Sequence, residues 1–441
     1  HSLNYRANRH QNIDQVLGRT IVGCLSVVFS FRYLAMDNKK KVFFTLLMIG
    51  TFANMDKGMI GLTVKNLINQ YGWSASDAGI ILSIFYVSFI LVTLPGGWIV
   101  DRFGYRKFVI FSLSVLTLGS LGFGMMGYLG ATSLLMALIG MRLFTGFGHA
   151  GYTNGAPKII TDNFPQEERG SVQGKVVATA GIGAIVAYTV GSYILSINWQ
   201  YAYYALAAFF FVSLVVFYFW VPEKKLTPQE LAAKEAMPKV GFTEGWKNRN
   251  TLVLAAALLL NNLTGVGFLN WLPSMWAKTF TVSDSTLSMI LIGYAVTLIV
   301  STASAPGIIR KWFPEKEKGF MLITSIVSAI TLVLAVKAST LTMSVIYLYI
   351  SNLFLMSAFA GILLLPYRMI PVRIIGSAFA VINIGAFVGG IGQGLLVGRL
   401  VDMFGGDYFP AFVAMAICVV VAGLIPFLLG EPAIPSKTAK K

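Results

Sequence analysis

Asp56 and Lys57 stand side by side in "TFANMDKGMIG", Thr51 to Gly61, within an apolar run from Val42 to about residue 68. Each charge in a hydrocarbon setting costs about 3 kcal/mol unless it faces a partner or a watery cavity, so such groups are candidates for function. A carboxylate there can carry a proton, and an ammonium can attract an anion. In "RLFTGFGHAG", Arg142 and His149 are seven residues apart in another apolar run and so share a helix face. Arg142 can pair with Asp56 and hold it ionised; a structural salt bridge or a snorkelling side chain is the plainer alternative. His149 can relay a proton, donate a neutral hydrogen bond, or be a satisfied packing group. Neighbours on a helix differ by about 100° in direction, so Asp56 and Lys57 cannot address one point. Lys57 is assigned to a central cavity and Asp56 to the run that carries Arg142; the residues alone leave the reverse open.

The setting of these groups follows from composition. At 56% hydrophobic and 12% charged residues, with mean hydropathy +0.72, the 441-residue chain is that of a membrane protein. A spanning helix needs about 20 mainly apolar residues, and about twelve such runs can be traced, from 42–68 to 408–430. The net charge of +16 does not imply nucleic acid, because the basic residues are dispersed over alternate short loops. Groups such as Lys39 to Lys41, Arg102 to Lys107, Lys224 to Arg249 and Arg310 to Lys318 fall on one side, against only Lys278, Lys337 and Arg399 on the other. The positive-inside rule then puts both termini and the central loop in the cytoplasm, which requires an even number of crossings. Cys24 and Cys418 have no metal-ligand company, so no metal and no cofactor is expected.

The domain reading is an N-terminal extension over 1–37, a six-helix bundle over 38–221, a cytoplasmic linker over 222–249, a second six-helix bundle over 250–431 and a tail over 432–441. The extension holds "IVGCLSVVFSFRYLA", which is either an interfacial or signal-like segment or not native to a chain that starts at Met36. In the linker, "PQELAAKEA" has the composition of a short surface helix. The fold class is thus an all-α membrane protein of twelve transmembrane helices in two six-helix bundles, arranged as in transporters whose halves rock about a midplane site.

"GGWIVDRFGYRK", Gly96 to Lys107, resembles the loop signature of the major facilitator superfamily, with Gly97, Asp101, Arg102, Gly104, Arg106 and Lys107 at its defining positions. Weaker echoes are "GIIRKWFPEKEKG" from Gly307 and "GRLVDMFGGD" from Gly398. "RLFTGFGHAGYTNGAPKIITDNFPQEERG" and "NWLPSMW" are similar to the fourth and seventh helices of the anion:cation symporter family. That resemblance implies the major facilitator fold with pseudo-two-fold symmetry, Lys57 in the place of a substrate-facing Arg, and His149 in the place of a Glu often linked to proton coupling. It also implies transport of a small organic anion, of sugar-acid or carboxylate class.

The remaining polar groups are read beside that resemblance. Asn261, Asn262, Asn270, Asn352, Asn383 and Gln393 are the amides available in the second half, of which Asn270 and Asn383 are the candidates for substrate contact. Tyr152 is a further candidate, with Tyr86 and Tyr188 as weaker ones. The expected function is alternating-access import of an organic anion by proton symport, through Lys57, His149, Tyr152, Asn270 and Asn383 for substrate and Asp56, His149 and Arg142 for the proton. Sodium is left open as the coupling ion. The alternative is a proton-coupled antiporter exporting apolar or cationic compounds; against it, run five has no proline in its glycine motif. No catalytic signature is found, so neither an enzyme nor a sensor is expected. The chain is expected to act as a monomer, multi-pass in the lipid bilayer of the plasma (inner) membrane.

Overall fold

The structure of the chain, a computed structural model, describes residues 37–222, 243–371 and 374–431. The N-terminal extension, the "PQELAAKEA" segment and the tail lie outside the described residues. The described chain is built of twelve long helices and their turns: α1 Asn38–Tyr71, α2 Ala75–Phe103, α3 Tyr105–Met125, α4 Ala131–Asn163, α5 Gln166–Val186, α6 Trp199–Trp220, α7 Arg249–Thr279, α8 Asp284–Trp312, α9 Glu317–Lys337, α10 Leu341–Leu364, α11 Ile375–Met403 and α12 Phe409–Leu424. A π-helical stretch, Ala187–Gly191, and a short helix, Ser192–Ile197, carry α5 onward.

Eleven helices among the described residues are long and apolar enough to cross a membrane. The remaining long helix, α1, spans 34 residues. Asn54, Asp56 and Lys57 in its middle dilute its hydropathy, which is why composition alone ranks it below the rest. Helices suit this environment because they satisfy every interior backbone group within the segment. Their exposed ends are closed locally: Ser74 and Asp77 form a capping box on α2, while Asn198, Asn248, Ser283 and Thr340 cap α6, α7, α8 and α10. Gly104 alone joins α2 to α3, and its φ of 83° is a conformation that L side chains rarely adopt.

Six helices pack into each bundle. In the first, α1 lies on α5 and α6, α2 on α4, and α3 on both α4 and α6; in the second, α7 lies on α11 and α12, α8 on α10, and α9 on α10 and α12. Apolar side chains such as Leu91, Phe111, Met136, Phe219, Met289 and Ile417 remain exposed around the outside, as lipid contact requires.

The bundles meet along three helix pairs, α2 with α11, α1 with α7, and α5 with α8. The α2–α11 seam is antiparallel. Starting from the end away from the chain termini, the loop side, the Asp402 carboxylate accepts from the backbone N–H of Ala75 (3.0 Å) and Ser76 (2.8 Å). Next, the backbones of Gly79 and Gly394 approach too closely for a Cβ on either, and the Ser83 hydroxyl donates to the Ile391 carbonyl at 2.8 Å. The Tyr86 ring covers Gly390, and Phe89 meets Phe387 with centroids 4.4 Å apart. Asn383, one turn further along the same face of α11, is exposed. The seam is closed on the loop side and parts toward the terminal side.

Candidate functional site

The centre of the first bundle is ionic. Nη1 of Arg142 on α4 donates to both carboxylate oxygens of Asp56 on α1, at 3.1 and 3.0 Å, and His149 Nε2 lies 2.8 Å from Asp56 Oδ2. The seven-residue spacing on α4 puts both partners on the face turned to α1. All three side chains are at most 2% exposed. Aromatic rings seal them: Phe85 lies under the Arg142 guanidinium at 4.6 Å and edge-on to His149 at 5.0 Å, and Phe210 meets the imidazole from α6. A carboxylate with two hydrogen-bonding partners is stable in such a place, whereas a lone one is not. Arg142 Nε is buried without a hydrogen-bond partner.

Lys57 points elsewhere. It is half-buried and forms no ion pair among the described residues. Its ammonium sits over the Phe89 ring, 5.4 Å from the centroid. Phe89 in turn touches Phe387 of the other bundle, so the cation lies beside the seam where the halves part. The two neighbours on α1 therefore serve two environments, a sealed ionic knot and a cation bordering an aromatic wall.

The other expected site residues divide. Gly61, one turn beyond Lys57 on the same face, packs on the backbone of Asn270, which brings that residue over the loop side of Lys57. Asn383 lies one turn from Phe387 on the terminal side and is open. Tyr152 is drawn elsewhere: it is buried, and its hydroxyl donates to the Leu46 carbonyl at 2.9 Å, about 16 Å along α1 from Lys57. A phenol committed to a backbone acceptor joins helices and is not free for substrate in this arrangement. Four other amides are also committed. Asn261, Asn262 and Asn352 donate to the carbonyls of Leu355, Ala386 and Tyr294, and Gln393 accepts from the Trp271 indole.

In the loop signature, the Arg106 guanidinium donates to the Tyr218 carbonyl at 2.8 Å and stacks on the Tyr218 ring, so it ties α3 to α6. Lys107 is exposed, and Gly104 makes the corner. Gly97 lies within α2, while the side chains of Asp101 and Arg102 are outside the described residues. Sequence reasoning missed Phe89 and Phe387. Their only signal is aromatic spacing on runs two and eleven, which is common to many membrane helices. The seam contact of Asp402 was also missed, although the residue lies in the echo from Gly398.

Two six-helix bundles around a buried ionic centre define a multi-pass membrane carrier. The sequence pattern of the Major Facilitator Superfamily matches residues 46–393, and the chain belongs to that family of secondary transporters, which are not enzymes. It is 23% identical to the D-galactonate transporter of Escherichia coli over 85% of this chain and 91% of that protein. It is 24% identical to the probable anion transporter 6, chloroplastic, of Arabidopsis thaliana over 57% of this chain and 50% of that one. With the probable galactarate/D-glucarate transporter of Pseudomonas putida it shares 29% identity over 29% and 28%. The chain thus spans half or less of the length of the last two. Among solved structures, it resembles a D-xylose–proton symporter, with a TM-score of 0.73 and 17% identity over 92% of this chain and 100% of that one. A bacterial homologue of the human lysosomal transporter Spinster gives 0.74 at 15% identity over 90% and 97%.

Proposed function

We propose that the chain imports a small organic anion of the sugar-acid or carboxylate class by proton symport. In this reading Lys57 binds the anion and Asp56 carries the proton. The observation that carries it is the contrast at positions 56 and 57: a carboxylate held by Arg142 and His149, beside a cation left without a counter-ion next to the opening seam. An unpaired ammonium in a membrane cavity attracts an anion, whose arrival neutralises it. Protonation of Asp56 loosens its hold on Arg142 and changes what α1 and α4 share, so cargo and proton act on adjacent turns of one helix. His149 is the second group through which the proton can pass. The names of the relatives favour an organic anion, and the basic loops favour cytoplasmic termini in the plasma (inner) membrane of a monomeric carrier.

The test is uptake into proteoliposomes. An acid-outside gradient should drive anion accumulation by wild type, whereas Asp56→Asn should lose accumulation and keep exchange of external for internal anion. Accumulation by Asp56→Asn equal to wild type would remove Asp56 from the proton path.

A further inference from the structure

The polar groups around the bundle interface are distributed in a way that bears on the cargo. We infer that the anion taken at Lys57 has one carboxylate and a flat, largely apolar body, as in an aromatic monocarboxylate, and is not a polyhydroxylated acid. This rests on the reading of Lys57 as the anion-binding cation.

The first observation concerns charge. Of the two cations on α1 and α4 at this level, Arg142 is neutralised by Asp56, and only Lys57 is left over. One spare cation matches one carboxylate; a dianion would bring a second charge with no counterpart among the described residues there. The second concerns hydrogen bonds. Every hydroxyl of a sugar acid loses its water on binding and needs a donor or acceptor in exchange, at a cost when it finds none. The amides that would supply these partners have their N–H groups engaged, from Asn261 to Leu355, Asn262 to Ala386, and Asn352 to Tyr294 and Thr297. Gln393 is fully buried against Trp271. The oxygens of Asn261 and Asn352 lack partners, but both residues are 0% exposed.

The third observation is what does stand beside Lys57. Phe89 lies under the ammonium, Phe387 packs on Phe89 at 4.4 Å, and Phe85 connects Phe89 to the Tyr86 ring at 5.8 and 5.1 Å. This aromatic row comes from both halves and borders the widening seam. Rings of this kind accept a planar apolar body by stacked or edge-to-face contact, and Lys57 at the margin fixes the carboxylate end. Phe89 is then the specificity-determining residue, since it touches both the cation and the opposite bundle.

The experiment measures thermal unfolding of the purified full chain with millimolar benzoate, gluconate or glucarate at neutral pH, where all are ionised. Benzoate should raise the midpoint, whereas gluconate and glucarate at equal concentration should not. Lys57→Met should abolish the benzoate shift. Phe89→Leu should weaken benzoate about tenfold, the scale of losing an aromatic contact, and Phe89→Tyr should restore it. Phe387→Leu gives the same reading from the other bundle should Phe89→Leu fail to fold. A Lys57-dependent shift with gluconate equal to or above that with benzoate overturns the cargo class and leaves the anion site standing. A benzoate shift that survives Lys57→Met overturns the site itself. No shift with benzoate in wild type also overturns the cargo class.

Discussion

The two bundles handle buried polarity in opposite ways. In the first, an acid, a guanidinium and an imidazole meet on α1 and α4, and one further cation is left over. In the second, the equivalent depth holds neutral amides and hydroxyls that bond across helices: Asn352 to Thr297, Asn262 to Ala386, Thr264 to Met415 and Trp276 to Ser344. Neutral groups of this kind hold helices together without responding to a change of ionic state. An ionic knot does respond, because adding one proton changes its charge. The division teaches that electrostatic work is concentrated in one half, while the other offers a firm surface against which that half moves.

The largest test of this contrast is Arg142→Leu. It leaves the Asp56 carboxylate buried with only His149, and breaking such a pair costs about 3–5 kcal/mol. Purified Arg142→Leu should unfold at markedly lower temperature than wild type, and the double variant Arg142→Leu/Asp56→Leu should regain much of the loss. Equal midpoints for Arg142→Leu and wild type would mean that the ionic centre contributes nothing to the fold. A smaller effect is expected at the seam. Asp402→Asn removes a charge from the N-terminus of α2, an interaction of about 0.3–1 kcal/mol. The loop side should then open more often, read as faster modification of a cysteine introduced at Ser83, with the unfolding midpoint nearly unchanged. Smallest is Asn352→Ala in the neutral half, where one interhelical hydrogen bond in a membrane is worth about 0.6 kcal/mol. Its midpoint should fall slightly with no change in the pH dependence of uptake; a shifted pH profile would blur the division between halves.

Much of the architecture was legible because a bilayer imposes a length and a polarity on every crossing. The runs locate the helices, and α1 stood out through the same Asp56 and Lys57 that lower its hydropathy. The seven-residue step from Arg142 to His149 also gave their shared face, since it depends only on helix periodicity. What remained hidden was register between helices. Nothing in the order of residues says that Phe387 on α11 lies against Phe89 on α2, nor that Tyr152 reaches Leu46. For the same reason an amide that joins two helices looks identical, in sequence, to one that faces a cavity. Asn262 and Asn383 were indistinguishable until Asn262 was seen on Ala386 and Asn383 in the open.

The glycines of α11 fall into two stripes. Gly385 and Gly389 fit against the α7 backbone at Ala255 and Leu259, whereas Gly394 and Gly398 fit against α2 at Gly79 and Ala75. The first stripe is a permanent weld inside one rigid body; the second is a detachable face that must release each time the outer door swings. A methyl group on the weld would damage the body itself, while the same methyl on the detachable face would act as a doorstop, leaving the body intact and the door ajar. One helix thus separates mutations that harm construction from mutations that harm movement.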